Sequence, residues 1–207
     1  MGRGRAAASH GEATRDRILD AAQRLFADQG YLGATTRQIA REAGIAEVTL
    51  FRHFPAKEIL FEEVMKHFSS VPVVRGLRRE LAGLPCQNAL LLLATRFYDT
   101  LVTNKALILI MHAELQHSPA NLGRIYRSFL DDLFAEFADY FVELQQEGKM
   151  CAFDPVLGAR AFYGMIFSYF NQEEILLRHE RGATGREQAL GEFVRIFLEG
   201  CAKRPDS

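Results

Sequence analysis

Between Thr35 and Phe54 the chain leaves room for two short helices joined by one sharp corner, and few folds use that arrangement. Thr35-x-x-Gln38 has the spacing of a capping box, in which the threonine hydroxyl and the glutamine amide satisfy each other's free backbone donors. A helix is therefore predicted to open at Thr36. It stops near Gly44, whose missing side chain permits the left-handed turn that a tight corner requires. Ala46–His53 forms the next helix almost at once. Ala40 stands where two such helices press closest and a small side chain is needed. Ile39, Ile45, Val48 and Leu50 are expected to lock the pair onto a preceding helix. In that helix, Thr14–Gln29, the residues Ile18, Ala22, Leu25 and Phe26 recur at i, i+4, i+7 and i+8. Thr14 is its expected N-cap, and Gly30 ends it. Thr36, Arg37, Arg41, Glu47, Thr49, Arg52 and His53 are left to face outward. This is the layout of a helix-turn-helix, whose second helix enters the major groove of DNA.

The rest of the chain has the same helical period, so the fold class is all-α. Pro55-Ala-Lys-Glu opens a fourth helix reaching about Phe68, with proline in the first turn. Beyond it, helices are expected near Val73–Leu81, Cys86–Thr103, Lys105–His117, Pro119–Glu147 and Pro155–His179. The run Leu107-Ile-Leu-Ile-Met111 marks the most apolar of them, predicted to be central and buried. A second capping box, Thr184-Gly-Arg-Glu187, precedes a stripe of Leu190, Phe193, Val194, Phe197, Leu198 and Cys201.

A composition 48% hydrophobic and 25% charged excludes a disordered chain. No apolar run approaches the roughly 20 residues needed to cross a bilayer, and Met1–Gly11 has no apolar segment to act as a secretion signal. A cytoplasmic location is the expectation. Cys86, Cys151 and Cys201 have neither a disulfide nor a zinc-site spacing and read as reduced, small apolar residues. There is no GxSxG, HExxH or GxxxxGK[ST], and the histidines fall into no metal-ligand spacing, so neither catalytic residues nor metal ligands nor cofactors are expected.

Around the corner the sequence closely resembles the TetR/AcrR family of transcriptional regulators. The residues that carry this are Ala21-Ala22-x3-Phe26-x3-Gly30-Tyr31, then Thr35-Thr36-Arg37-Gln38-Ile39-Ala40-x2-Ala43-Gly44-Ile45-Ala46, then Thr49-Leu50-Phe51-Arg52-His53-Phe54-x2-Lys57-Glu58-x-Leu60. The resemblance implies an N-terminal three-helix DNA-binding domain followed by a larger helical domain for effector binding and dimerisation. The expected divisions are 1–11 as a flexible basic arm carrying Arg3 and Arg5, 12–57 as the helix-turn-helix domain, and 58–207 as the larger domain.

Carried over by position, Ala46–His53 is the base-reading helix. Thr35 or Thr36 would meet phosphate, Thr49 a phosphate or a base, and Lys57 a phosphate. Arg37, Glu47 and Arg52 are the candidates for reading bases, because arginine pairs in a bidentate way with guanine and glutamate accepts from cytosine. His53 completes the set. Family members commonly have serine at the position of Ala46 and tyrosine at that of Phe51, so two hydroxyls are absent here.

The resemblance also implies a small-molecule pocket and a homodimer. Phe97, Tyr98, His112, Gln116, Tyr126, Phe129, Phe167 and Asn171 are the candidate ligand residues, aromatic side chains with a few polar anchors suiting a hydrophobic or aromatic effector. Phe162, Tyr163, Ile166, Phe170, Leu190, Phe193, Val194 and Phe197 are the candidate dimer contacts, although such residues equally well close the core of a single chain. The function expected is a ligand-responsive regulator, a repressor released from a palindromic operator by its effector. The alternative is a constitutive DNA-binding or interaction module with a filled core.

Charge fits the first reading. The whole chain has 25 basic and 26 acidic residues, a net charge of −1. Through Lys57, however, nine basic residues stand against six acidic ones, so this segment is +3 and the remainder −4. A small basic head on a larger acidic body is the asymmetry expected of a chain that meets phosphate at one end.

Overall fold

The computed structural model describes the backbone of residues 3–68, 70–117, 119–177 and 183–200, and the side chains of these residues apart from 3–10, 114–117, 119–122 and 183–184. Among the described residues ten α-helices follow one another: α1 (Arg3–Gly33), α2 (Thr36–Glu42), α3 (Glu47–His53), α4 (Lys57–His67), α5 (Ser70–Leu81), α6 (Cys86–Thr103), α7 (Lys105–His117), α8 (Pro119–Gln146), α9 (Pro155–Phe170) and α10 (Ala183–Gly200). A π-helical turn, Asn171–Leu176, continues α9. The class is all-α, as the sequence predicts.

The first helix departs from expectation at its start. It begins at Arg3 rather than Thr14, so helical backbone replaces most of the expected arm, in keeping with the high helix propensity of Ala6-Ala7-Ala8. Thr14 is a buried residue within it, not an N-cap. Gly30 does break it, at φ 76° and ψ 169°. Helix α5 starts before Val73, with Pro72 in its first turn, where no backbone donor is lost.

Two compact units result, Met1–Phe68 with Asn104–Arg127, and Ser69–Thr103 with Ser128–Ser207. The first is larger than the expected 12–57, because Leu107, Met111 and Ile125 share one core with Ile18, Phe26, Ile39, Leu50, Phe54 and Phe61. Phe61 meets Phe26 edge-on with ring centroids 5.1 Å apart and Tyr31 at 4.9 Å. Asn104 secures this unit, accepting from Gln23 Nε2 at 2.9 Å and donating to the Phe68 carbonyl at 2.7 Å. The run Leu107–Met111 is not buried all round, since Leu109 is exposed.

The second unit is an aromatic-rich bundle. Phe141 lies 6.0 Å from Phe153, 5.8 Å from Phe162 and 5.4 Å from Phe197, and Phe97 meets Phe137 at 5.5 Å. Arg75 pairs with Glu136 and Arg78 with Glu143, joining α5 to α8. Asp154 caps α9, its Oδ1 accepting from Val156 N at 2.9 Å and Leu157 N at 3.0 Å, ahead of Pro155 at the first helical position. The expected continuous helix to His179 ends instead at Phe170, where the backbone widens into the π turn. Helix α10 already includes Thr184, whose side chain lies outside the described residues, as does the rest of the chain beyond Gly200.

The expected dimer contacts need correction here. Phe162, Ile166, Phe170, Leu190, Val194 and Phe197 are buried within their own unit, Phe162 to 1% exposure. Tyr163 is stacked on Phe167 with centroids 5.0 Å apart, and Phe193 is set edge-on to Tyr169 at 5.5 Å. The apolar arcs of α9 and α10 close the core of one chain. Their outward side is different: Leu157, Ala161, Gly164 and Ser168, at i, i+4, i+7 and i+11 on α9, and Ile196 on α10, are exposed.

Candidate nucleic-acid interface

The α2–α3 corner is built as its sequence dictates. Gln38 N donates to Thr35 Oγ1 at 3.2 Å, and Thr35 N donates to Gln38 Oε1 at 2.9 Å, completing the capping box. The Thr35 hydroxyl also donates to Gln38 Oε1 at 2.7 Å. Thr35→Ala removes the cap and is expected to lower stability by about 1 kcal/mol in a urea titration. At the corner Gly44 has φ 67°, open to glycine at little cost. Ile45 N then reaches back to the Ala40 carbonyl at 3.0 Å. Ala40 is buried at 2% exposure, and Ile39 and Leu50 are fully buried beside it. Ala46 begins α3 without a side-chain cap, the consequence of its missing hydroxyl.

Val48 is not where the sequence reading put it. It is 61% exposed, as Leu50 alone of that pair turns inward. Ile45 packs against the core only partly. Sequence reasoning missed Val48 as a surface residue, and its wheel position relative to Leu50 is the signal that shows it; Phe51, at the position of the family's tyrosine, is exposed as well.

Thr35, Arg37, Gln38, Ala40, Arg41, Ile45 and Glu47 line an open groove of about 490 Å³. Thr36 and Glu47 meet across the corner, Thr36 Oγ1 donating to Glu47 Oε1 at 2.7 Å. Both threonine hydroxyls therefore already serve a partner within the head. Arg37, Arg41 and Arg52 are exposed, and among the described residues none of them has an ion-pair partner. Arg24 instead takes Glu42 at 3.4 Å, removing one acid that would otherwise compete for Arg41. Thr49 and His53 are half-buried on α3, and the His53 ring lies 6.4 Å from that of Phe54. Lys57 sits at the start of α4 with its ammonium 4.5 Å from the Tyr31 ring centroid, a cation–π contact that restrains it. The groove thus gathers Thr35, Arg37 and Glu47, while Ala46, Thr49, Arg52, His53 and Lys57 lie outside its lining.

Two descriptions of known families match the chain. The model of bacterial regulatory proteins of the tetR family matches residues 18–64, and that of the AefR-like transcriptional repressor C-terminal domain matches residues 88–200, more than half of the chain. The chain belongs to the TetR family of transcriptional regulators. Among relatives of this TetR-family chain, the HTH-type transcriptional repressor KstR2 of Rhodococcus jostii (strain RHA1) is 33% identical over 124 residues. That match spans 59% of this chain and 60% of KstR2. A solved TetR-family regulator from Mesorhizobium loti MAFF303099 superposes with a TM-score of 0.77 at 26% identity, over 92% of this chain and 97% of that one. The flavonoid-responsive regulator FrrA gives a TM-score of 0.68 at 26% identity, over 93% and 98%.

The candidate ligand residues of the TetR-family chain fall in two groups. His112 and Tyr126 belong to the first unit, where burial pushes the His112 imidazole below its ordinary range. Phe97, Tyr98, Phe129, Phe167 and Asn171 belong to the second. The side chain of Gln116 lies outside the described residues. Phe97 and Tyr98 are buried. The Tyr98 hydroxyl donates to Glu174 Oε1 at 3.4 Å, and burial, aided by the Glu174 charge, holds that phenol strongly protonated. Asn171 opens the π turn, a backbone feature that recurs at functional sites. Among the described residues no group of His, Cys, Asp and Glu could hold a metal ion, and no helix is long and apolar enough to cross a membrane.

Proposed function

We propose that this chain is a ligand-responsive repressor that binds a palindromic operator as a homodimer in the cytoplasm and is released by a hydrophobic or aromatic small molecule. The observation that carries this is a set of exposed arginines that have no ion-pair partner among the described residues: Arg37 and Arg41 line a groove on the α2–α3 corner, and Arg52 stands on α3 outside it. Arg37, Arg52 and Glu47 read bases. Lys57 meets phosphate, as does Thr49 where it does not touch a base, and His53 lies at the same surface. Thr35 and Thr36 act through the cap and through Glu47 rather than by donating to phosphate. The name of KstR2 supports repression, and that of FrrA an aromatic effector.

Two copies associate through the outward stripe of Leu157, Ala161 and Gly164 on α9, with Ile196 of α10. Two-fold symmetry then sets the half-sites about 34–36 Å apart. Within each chain the proposed division is a DNA-binding head through α4 and an effector and dimer body built largely by the second unit. The buried state of Phe97 and Tyr98 favours a second reading, a module whose core is already filled.

Footprinting on the DNA upstream of the chain's own gene, with and without flavonoids, tests the proposal. A protected palindrome released by a flavonoid is the expected result. Protection that no compound relieves would favour the filled-core reading, and no protection at low salt would remove both. Arg37→Ala and Arg52→Ala should each cost about 1–3 kcal/mol of discrimination at particular base pairs. Lys57→Ala should weaken all sequences alike and reduce the salt slope by about one. Equal losses on operator and random duplex for all three would overturn this division between readers and positioners.

A further inference from the structure

The exposed face of α3 is more apolar than a water-facing helix needs to be. Val48 is 61% exposed and Phe51 42% exposed. At i and i+3 they share one face of the helix. Arg52 flanks them on α3, and Glu47, held by the Thr36 hydroxyl at 2.7 Å, stands at the helix start. An apolar pair next to Arg52, on a head that also exposes Arg37 and Arg41, matches a surface that is anionic at its rim and apolar at one point inside. In the major groove the apolar feature is the C5 methyl of thymine, with phosphates on either side.

We propose that Val48, backed by Phe51, is a specificity-determining residue that packs on a thymine C5 methyl in each operator half-site. This rests on the operator reading above. The pairing reads a base without a hydrogen bond, through the burial of one methyl against one isopropyl group. Burial of about one methyl on each side is worth roughly three- to tenfold in affinity. Glu47, one residue earlier and fixed by Thr36, is placed to accept from a neighbouring cytosine, so the two side chains together would select a short pyrimidine step.

The test uses the full chain and a duplex obtained by selection from random sequence. Each thymine of the selected operator is replaced in turn by deoxyuridine, which removes only the methyl and keeps the base pair. The wild-type chain should lose about three- to tenfold in affinity at one or two thymines per half-site. Val48→Ala should bind operators with and without that methyl equally, while Arg37→Ala should keep the methyl effect. Val48 touches little of its own chain, so Val48→Ala should melt as the wild type does, and Val48→Ser repeats the result if alanine perturbs the helix. An operator whose every methyl is silent overturns this inference alone, as does a methyl effect unchanged by Val48→Ala. A selection that enriches no sequence overturns the operator reading and this inference with it.

Discussion

Phe162→Ala is expected to lower the free energy of unfolding by about 3–5 kcal/mol while leaving subunit association under native conditions unchanged. Phe162 is 1% exposed and surrounded by rings, with Phe137 at 5.7 Å, Phe141 at 5.8 Å and Phe197 at 5.4 Å. Helices α8 and α10 supply those partners to Phe162 on α9, so a truncated side chain leaves a void that three separate helices would have to close together. Rigid rings close a void poorly. Against a total stability of about 5–15 kcal/mol the loss is large. A urea titration of both proteins at several concentrations reads it: the difference between variant and wild type should stay the same at each. Were Phe162 an interface residue, the variant would dissociate and its deficit would grow on dilution. Dissociation with unchanged stability of the single chain would overturn its place in the core.

That distinction was not legible in the sequence, and the reason is physical. Helix α9 is apolar around much of its circumference, so the 3.6-residue period that separates inside from outside elsewhere has little to act on. What the sequence does contain is residue size. From Phe162 onward the inward positions are large, Phe162, Ile166, Tyr169 and Phe170, and the outward ones are small, Gly164 and Ser168. The α2–α3 corner was legible because each part is forced locally: a capping box needs only residues three apart, and a left-handed corner favours glycine. Val48 was misplaced because two residues along a helix turn it by about 200°, so Val48 and Leu50 could not both face inward. The Thr36–Glu47 hydrogen bond joins residues on different helices, and no local pattern announces it. The first unit's extent was hidden for the same reason, since Leu107, Met111 and Ile125 enter its core from far along the chain.

Gly164→Glu is expected to convert the proposed dimer to monomers and to lower operator affinity by roughly 10²- to 10⁴-fold, the contribution of tethering two heads. The position is unusually clean as a probe. A Cβ built on Gly164 meets nothing within 4 Å, so the chain itself has room for the new side chain. Its backbone is that of an α-helix interior, where replacing glycine by a good helix former adds several tenths of a kcal/mol. The single chain should therefore fold at least as well as before, and any loss of function must arise from a second molecule. Across a two-fold axis the substitution brings two carboxylates together on a surface that excludes water, a cost with no partner to offset it. Leu157, two helical turns earlier at 64% exposure, and Ile196, at 49%, lie on the same proposed surface. Ile196→Glu on α10 should accordingly reproduce the effect from the other helix. Sedimentation measures the mass and a mobility shift the affinity. If both variants remain dimeric and bind the operator as the wild type does, the association lies elsewhere on the chain. If they become monomers yet keep full affinity, a single head suffices, and the palindrome would lose its physical reason.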